Sequence, residues 1–147
     1  MIALSLADLA RVISGTVHLA DPAASDGIVS GPVVVDSRLV TPGSVFIAMR
    51  GDSTNGHEFV EAAVEAGATL VIAERTLEVP VPIIVVADSL SALTSLAREV
   101  VARVRREGRL RVVAVTGSNG KTTTKNMLRA VLERVGQVVS PRGSFNN

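Results

Sequence analysis

Short apolar runs alternate with helical patterns along most of the chain. Residues 21–31 interrupt this order; they are rich in Pro, Ala, Ser, Asp and Gly and predict a surface loop. Five apolar runs have the length of strands and lie between turn-forming residues, at 16–19, 33–35, 45–49, 69–73 and 83–87.

Three other stretches carry apolar residues at the 3- and 4-residue spacing of an amphipathic helix. Ser5 with Asp8 matches a shortened capping box and opens a helix that ends at Gly15. A second helix is expected at about 57–66, and Asp88 is a good N-cap for a long third helix. Strands that alternate with helices predict an α/β fold.

A glycine turn near the end of the sequence lies between an apolar run and a fourth helical pattern. Residues 112–115 predict a strand buried on both faces, and apolar positions between Met127 and Val135 predict a helix after the turn. Gly117 and Gly120 allow backbone N–H groups to approach an anion, and the helix N-terminus adds partial positive charge. This order predicts a nucleotide phosphate site made of Gly117, Ser118, Asn119, Gly120, Lys121, Thr122 and Thr123.

Lys121 and Thr122 are the candidate catalytic residues of this loop. Lys121 is expected to reach the β and γ phosphates of the nucleotide, and the Thr122 hydroxyl to coordinate Mg²⁺. The general spacing G-x-x-x-x-G-K-[ST] is not met, because Val115 stands where it requires glycine. Lys121 and Lys125 are the only lysines in the chain, and a compact point charge suits a phosphate. The role of Lys125, as a solvated residue or a ligand contact, stays open.

Composition narrows the class of protein. The chain has 147 residues, no cysteine and a formal net charge of +1, so disulfides and thiolate zinc sites are excluded and nothing favours nucleic acid. No apolar run approaches the roughly 18 residues that span a bilayer, and no secretory signal is visible at Met1. We expect a soluble, cytosolic protein without membrane insertion.

Two polar loops, at 36–38 and 51–56, follow predicted strands. They could form one ligand site at the carboxyl edge of the sheet. The alternative is that Asp36 and Arg38 form a local ion pair and that residues 52–56 only cap a helix. His57 could be a switch or a ligand contact, but a histidine at a helix start is expected to be solvated. The candidate ligand groups are Ser37, Arg38, Asp52, Ser53, Thr54 and Asn55.

The order of these motifs resembles the Mur ligase family, the ATP-dependent amide-bond-forming enzymes of peptidoglycan precursor synthesis. The segments that carry the resemblance are 35–38, 42–48, 51 with 55–59, 66–68 and 115–123, and the shortened phosphate loop is the family's own form. Lys125 and the ending 143–147 are most similar to the branch that adds D-alanyl-D-alanine to a UDP-N-acetylmuramoyl peptide. The branch that adds the third-position diamino acid is the alternative within the family.

The resemblance implies a small N-terminal α/β domain at 1–87 that binds the UDP precursor. It also implies the start of a P-loop ATPase-type α/β domain at 88–147, with ATP and Mg²⁺ bound at 117–123. Asn146 and Asn147 match the family stretch that faces the muramoyl peptide. Since residues 138–139 predict only the beginning of another strand, we expect the chain to stop partway through this domain and to be inactive alone. The full-length enzyme is expected to be a monomer.

Two other classes of protein are compatible with these residues. One is an unrelated P-loop kinase or ATPase with an accessory domain. The other is a non-catalytic UDP-binding module, against which the phosphate loop argues.

Overall fold

The computed structural model describes residues 3–19, 27–51, 54–108 and 110–141. They belong to two compact units, Met1–Leu110 and Arg111–Asn147. The strands are β1 (Leu4–Ser5), β2 (Thr16–His18), β3 (Ile28–Val29), β4 (Val33–Val34), β5 (Ser44–Ile47), β6 (Ala68–Ala73) and β7 (Ile83–Val85). The α-helices are α1 (Leu6–Val12), α2 (Val60–Glu65), α3 (Ser89–Arg106) and α4 (Lys121–Leu132).

The first unit is built on a five-stranded sheet in the order β2-β7-β6-β5-β4. The four strands from β4 to β7 are parallel, and β2 pairs antiparallel with β7 at one edge. All five predicted strands of this unit are therefore confirmed. The expected loop at 21–31 is wrong in part, because β3 pairs with β1 in a small antiparallel sheet.

Alternate side chains of the central strands enter two separate cores, as expected for a parallel sheet covered on both faces. Val45 and Ile47 pack in the core that contains α1 and α3, whereas Phe46 packs in the core that contains α2. Leu70 and Val71 of β6 divide between the two cores in the same way. The predicted α/β class is confirmed as a mixed fold with a mainly parallel sheet.

Side-chain caps start the helices where the sequence predicts them. The Ser5 hydroxyl accepts a hydrogen bond from the Asp8 amide at 3.1 Å, and the Asp88 carboxylate accepts one from the Ser91 amide at 2.8 Å. Residues 57–66 begin as a 3₁₀ turn, Gly56–Phe59, and continue as α2.

The long helix α3 belongs to the first unit rather than to the second. Its Ala92 and Leu96 are buried in the same core as α1, and Leu93 and Val100 pack against that core. The boundary expected at Asp88 assigned this helix to the phosphate-loop sheet. The compact units instead divide at Leu110, because the apolar face of α3 is used to cover the first sheet.

In the second unit the predicted helix is confirmed and the predicted strands are not. α4 begins at Lys121, but residues 112–115 and 138–139 form no strand. Val112 and Val113 are 63% and 60% exposed, so they are not buried on two faces. A strand needs neighbouring strands for its backbone hydrogen bonds, and the described part of this unit contains none.

Candidate functional sites

The loops that carry the candidate ligand groups of the first unit leave the same edge of the sheet. Because β4, β5, β6 and β7 are mutually parallel, their carboxyl ends lie together. A 3₁₀ turn, Ser37–Leu39, follows β4, and residues 50–55 follow β5. Glu74 follows β6, and Asp88 precedes α3 after β7.

Asp36 and Arg38 form a local ion pair, as expected under the alternative to a shared ligand site. The Arg38 guanidinium donates from Nε to Asp36 Oδ1 at 2.9 Å and from Nη2 to Oδ2 at 2.7 Å. The Arg38 backbone amide also donates to Oδ1 at 3.0 Å. These hydrogen bonds lower the pKa of Asp36 to about 2 and raise the pKa of Arg38. Arg38 remains 87% exposed, so its guanidinium is still accessible.

Backbone hydrogen bonds join the described residues on the two sides of the loop after β5, 49–51 and 54–56. The Gly51 amide donates to the Thr54 carbonyl at 2.8 Å, and Arg50 and Asn55 pair across the loop as an isolated bridge. The Gly56 amide donates to the Met49 carbonyl at 2.7 Å. A Cβ at Gly56 would lie 2.5 Å from that carbonyl oxygen, so this close approach requires glycine. Asp52 and Ser53 lie outside the described residues.

A cavity of about 470 Å³ opens beside this loop. Two of the predicted ligand residues, Thr54 and Asn55, line it. Ser37 and Arg38 are not among the described residues that line this cavity. The full described lining is Arg50, Gly51, Thr54, Asn55 and Glu58.

His57 lies beneath the loop and is buried, so the expectation of a solvated imidazole is wrong. Only 5% of its surface is exposed. Nδ1 lies 2.9 Å from Asn55 Oδ1, and Nε2 accepts a hydrogen bond from the Glu74 amide at 3.0 Å. Burial lowers the pKa of His57; Glu74 opposes that shift, while Arg75 and Arg50 add to it.

Glu74 joins the ends of three elements at this edge. Its Oε1 accepts a hydrogen bond from the Ser89 amide at 3.1 Å, and its Oε2 pairs with Arg50 Nε at 3.3 Å. Ser89 Oγ in turn donates to the Ala48 carbonyl at 3.0 Å. The loop after β5 is therefore held by β6 and by the start of α3.

Sequence reasoning missed Arg50, Glu58, Glu74 and Ser89. Arg50 and Glu58 directly flank the predicted loop, and that adjacency was the available signal. Glu74 and Ser89 are far from the loop in sequence, and only the parallel order of β5, β6 and β7 brings them to it.

The second candidate site is the glycine turn before α4. Gly117 and Gly120 have φ values of 149° and 76°, which side-chain-bearing residues rarely adopt. Gly120 is the N-cap of α4, and the first intrahelical bond to it comes from the Thr124 amide at 2.9 Å. The preceding amides of the first turn have no partner within the helix, so they suit an anion.

Both lysines of the chain hydrogen-bond to carbonyl oxygens in this unit. Lys121 Nζ donates to Gly117 O at 2.6 Å and so closes over the turn. Lys125 Nζ donates to Pro141 O at 2.6 Å. Thr122 and Thr123 are exposed at the start of the helix. Asn146 and Asn147 lie outside the described residues.

Among the described residues, no group of three or more His, Asp or Glu side chains could hold a metal ion. The Thr122 hydroxyl is a candidate Mg²⁺ ligand together with the oxygens of a bound nucleotide. Within the same residues, no helix combines the length and apolar character that a membrane span requires.

Comparisons with known proteins agree with this architecture. Residues 32–115, more than half of the chain, match the profile described as "Mur ligase family, catalytic domain", and residues 115–147 match "Mur ligase middle domain". A UDP-N-acetylmuramoyl-tripeptide–D-alanyl-D-alanine ligase of Mycobacterium bovis is 38% identical over all of this chain, which covers 32% of that protein. The chain thus spans about a third of the length of the curated relatives it matches.

Two solved structures of MurF are also similar. The protein from Acinetobacter baumannii is 32% identical with a TM-score of 0.78, covering 99% of this chain and 30% of that one. MurF ligase from Thermotoga maritima, solved in complex with ADP, is 38% identical with a TM-score of 0.58, covering 72% of this chain and 24% of that one. On the family match and these similarities, the chain belongs to the Mur ligase family.

Proposed function

We propose that this chain is part of an ATP-dependent ligase that adds D-alanyl-D-alanine to UDP-N-acetylmuramoyl-tripeptide. The observation that carries the proposal is the turn with Gly117 and Gly120 at positive φ directly before α4. It lies in a Mur ligase chain whose relatives in bacteria carry that activity in their names. We place the reaction in the cytoplasm, where ATP is available, and expect a monomer.

ATP is the nucleotide proposed for the second unit. Its phosphates would meet the residues of the turn and the first amides of α4, at Gly117, Ser118, Asn119, Gly120, Lys121, Thr122 and Thr123. Mg²⁺ held by Thr122 and by phosphate oxygens would supply further positive charge at the transferring phosphoryl group. The ADP bound to the Thermotoga maritima relative supports this assignment.

The uridine diphosphate end of the precursor is proposed to bind the first unit. Thr54 and Asn55 line the cavity, and Arg50 adds a cation beside them. Ser37, Arg38, Asp52 and Ser53 are kept as further contacts, with Arg38 accessible beyond its pairing with Asp36. Asn146 and Asn147 remain proposed contacts to the muramoyl peptide.

The proposed reaction forms one amide bond in two steps. The terminal carboxylate of the peptide attacks the γ-phosphorus of ATP, giving an acyl phosphate and ADP. The amine of D-alanyl-D-alanine then attacks the acyl carbon, and inorganic phosphate leaves with the C–O bond electrons while the amine loses a proton. Lys121 exchanges the Gly117 carbonyl for phosphate oxygens and stabilises negative charge on the transferring group.

The experiment is ADP release by the complete reading frame that contains this chain. We expect release with UDP-muramoyl-tripeptide and D-alanyl-D-alanine together. Release only with UDP-muramoyl-dipeptide and a free diamino acid would assign the protein to the other branch of the family. ADP release that ignores the muramoyl peptide would contradict ligase function.

Two substitutions on α4 test the role of the turn. Lys121→Ala removes the proposed phosphate contact, and we expect a loss of about 100-fold or more in kcat, as for other charge-stabilising groups. Arg129→Ala removes a cation from the same helix, where Arg129 pairs with Glu133, and is expected to keep wild-type activity. Equal activity of the two variants would contradict the assignment of Lys121.

A further inference from the structure

The hydrogen bonds around His57 fix the position of its proton. A backbone N–H can only donate, so the Glu74 amide at 3.0 Å requires an unprotonated Nε2. A neutral imidazole with a bare Nε2 carries its proton on Nδ1. Nδ1 therefore donates to Asn55 Oδ1 across 2.9 Å. The tautomer is assigned from these partners.

The hydrogen bonds from His57 also fix the orientation of the Asn55 side-chain amide. Its Oδ1 accepts from His57 Nδ1 and also from the His57 backbone amide at 3.2 Å. The remaining polar group is the NH₂, for which no hydrogen bond to another described residue is found. Because Asn55 lines the cavity together with Arg50, both side chains offer donors there.

We propose that His57 is a positioning residue that makes Asn55 a hydrogen-bond donor in the cavity, which therefore selects an acceptor oxygen of its ligand. This inference rests on the proposed function, in which the ligand is a uridine diphosphate compound. The oxygen belongs either to a uracil carbonyl or to a phosphate, and the two sources are separated by the probes below.

Protonation of His57 would disrupt the hydrogen bonds that run from the Glu74 amide through the imidazole to Asn55. A proton on Nε2 would point at the Glu74 N–H, and two donors cannot hydrogen-bond to each other. The charged groups around the imidazole are Glu74 and Arg75 from the end of β6 and Arg50 from the end of β5. Burial disfavours the cation, Glu74 favours it, and Arg75 and Arg50 disfavour it, so the pKa of His57 lies below its ordinary value and acid is needed to charge the ring.

The first test uses calorimetry to measure the binding of UDP-N-acetylglucosamine, a diphosphate diester of uridine and a sugar, to the complete reading frame. Wild-type affinity should be constant near neutral pH and fall about tenfold per pH unit below the pKa of His57. His57→Gln can accept from the Glu74 amide and donate to Asn55 without titrating, so its affinity should stay flat with pH. The other histidine of this chain, the exposed His18, provides the control: His18→Gln should keep the wild-type profile.

The second test replaces the donor itself. Asn55→Asp keeps an oxygen for His57 but puts an acceptor where the NH₂ stood, and we expect affinity to fall about tenfold or more. Asn126→Asp, which makes the same change on exposed α4, should have no effect. An equal loss with uridine would assign the acceptor to uracil, whereas a loss confined to the diphosphate compound would assign it to a phosphate.

A third measurement needs neither ligand nor variant. Nitrogen-15 NMR of labelled histidine in the wild-type protein should show the Nδ1-protonated tautomer for His57 at neutral pH. An Nε2-protonated ring, or a pH profile unchanged by His57→Gln, would overturn the inference. Failure of the wild-type protein to bind the uridine probe at any pH, with the expected tautomer present, would count against the proposed ligand and thereby against both claims.

Discussion

The two units of the chain use apolar residues in opposite ways. In the first unit, Phe46 and Leu70 are 1% exposed and lie on opposite faces of one sheet. In the second unit, Met127 and Val131 of α4 are 67% and 64% exposed, and the helix buries no residue. Helical spacing thus forms a helix in both units, but among the described residues only the first unit has strands that supply a surface to bury it.

The polar sites differ in the same way. The loop that carries Asn55 is held by hydrogen bonds from His57, Glu74 and Ser89, which come from separate elements. The turn at 117–120 is shaped by two glycines and closed by one contact of Lys121. The first site therefore depends on tertiary structure, whereas the second depends mainly on local backbone conformation.

Truncation of a large apolar residue should separate the two units most strongly. Leu70→Ala removes a fully buried side chain from the first core and should destabilise that unit by about 2–5 kcal/mol. In the 147-residue chain, Met127→Ala removes a side chain of similar size from exposed α4 and should cost less than about 0.5 kcal/mol. Urea unfolding followed by circular dichroism measures both, and equal losses would contradict the contrast in packing.

A methyl group at Gly56 tests how tightly the first site is built. Its Cβ would lie 2.5 Å and 2.7 Å from backbone atoms of Met49, so the loop must shift, at a cost of about 1–3 kcal/mol. Gly136→Ala in the second unit is the control, because its Cβ meets no atom within 4 Å. Thermal unfolding measures the stability of both variants. If both were as stable as the wild type, the close packing at Gly56 would be contradicted.

Gly120→Ala tests the local character of the second site. Alanine at a φ of 76° costs about 1–2 kcal/mol. If the unbound turn adopts another conformation to avoid this strain, ATP must restore the original one, and ATP binding should be roughly five- to thirtyfold weaker. The first unit should unfold as in the wild type. Unchanged ATP affinity in an equilibrium binding measurement would show that the turn does not need this conformation.

The smallest effect is expected at the exposed Asp36–Arg38 pair. The lowered pKa of Asp36 contributes stability above its ordinary pKa of 3.8, and this contribution is lost as the pH falls through about 2. Arg38→Ala should return the pKa of Asp36 toward 3.8 in an NMR titration, with little change in unfolding at neutral pH. A pKa that stays near 2 would assign the shift to another group.

The sequence predicts the elements of the first unit well because each one has a local signal. Ser5 and Asp88 are visible as caps, and apolar runs mark the strands. The sequence does not predict that His57 is buried, because the amide that donates a hydrogen bond to its ring belongs to Glu74, at the end of β6. The boundary expected at Asp88 differs from the observed one for a related reason. Helical spacing shows that α3 has an apolar face, but it does not show which sheet that face covers.

In the second unit, local rules succeed at the turn and fail at the strand. Positive φ at Gly117 and Gly120 and the start of α4 follow from residue type and position. The run at 112–115 has the composition of a buried strand, but burial depends on neighbouring strands that the described residues of this unit do not contain.

The central claim is that the protein forms an amide bond to a UDP-muramoyl peptide at the cost of ATP. Mass spectrometry of the products formed by the complete reading frame tests it most directly. With UDP-muramoyl-tripeptide, D-alanyl-D-alanine and Mg·ATP, we expect a UDP-muramoyl-pentapeptide together with ADP and phosphate. ADP and phosphate without the pentapeptide would contradict the claim.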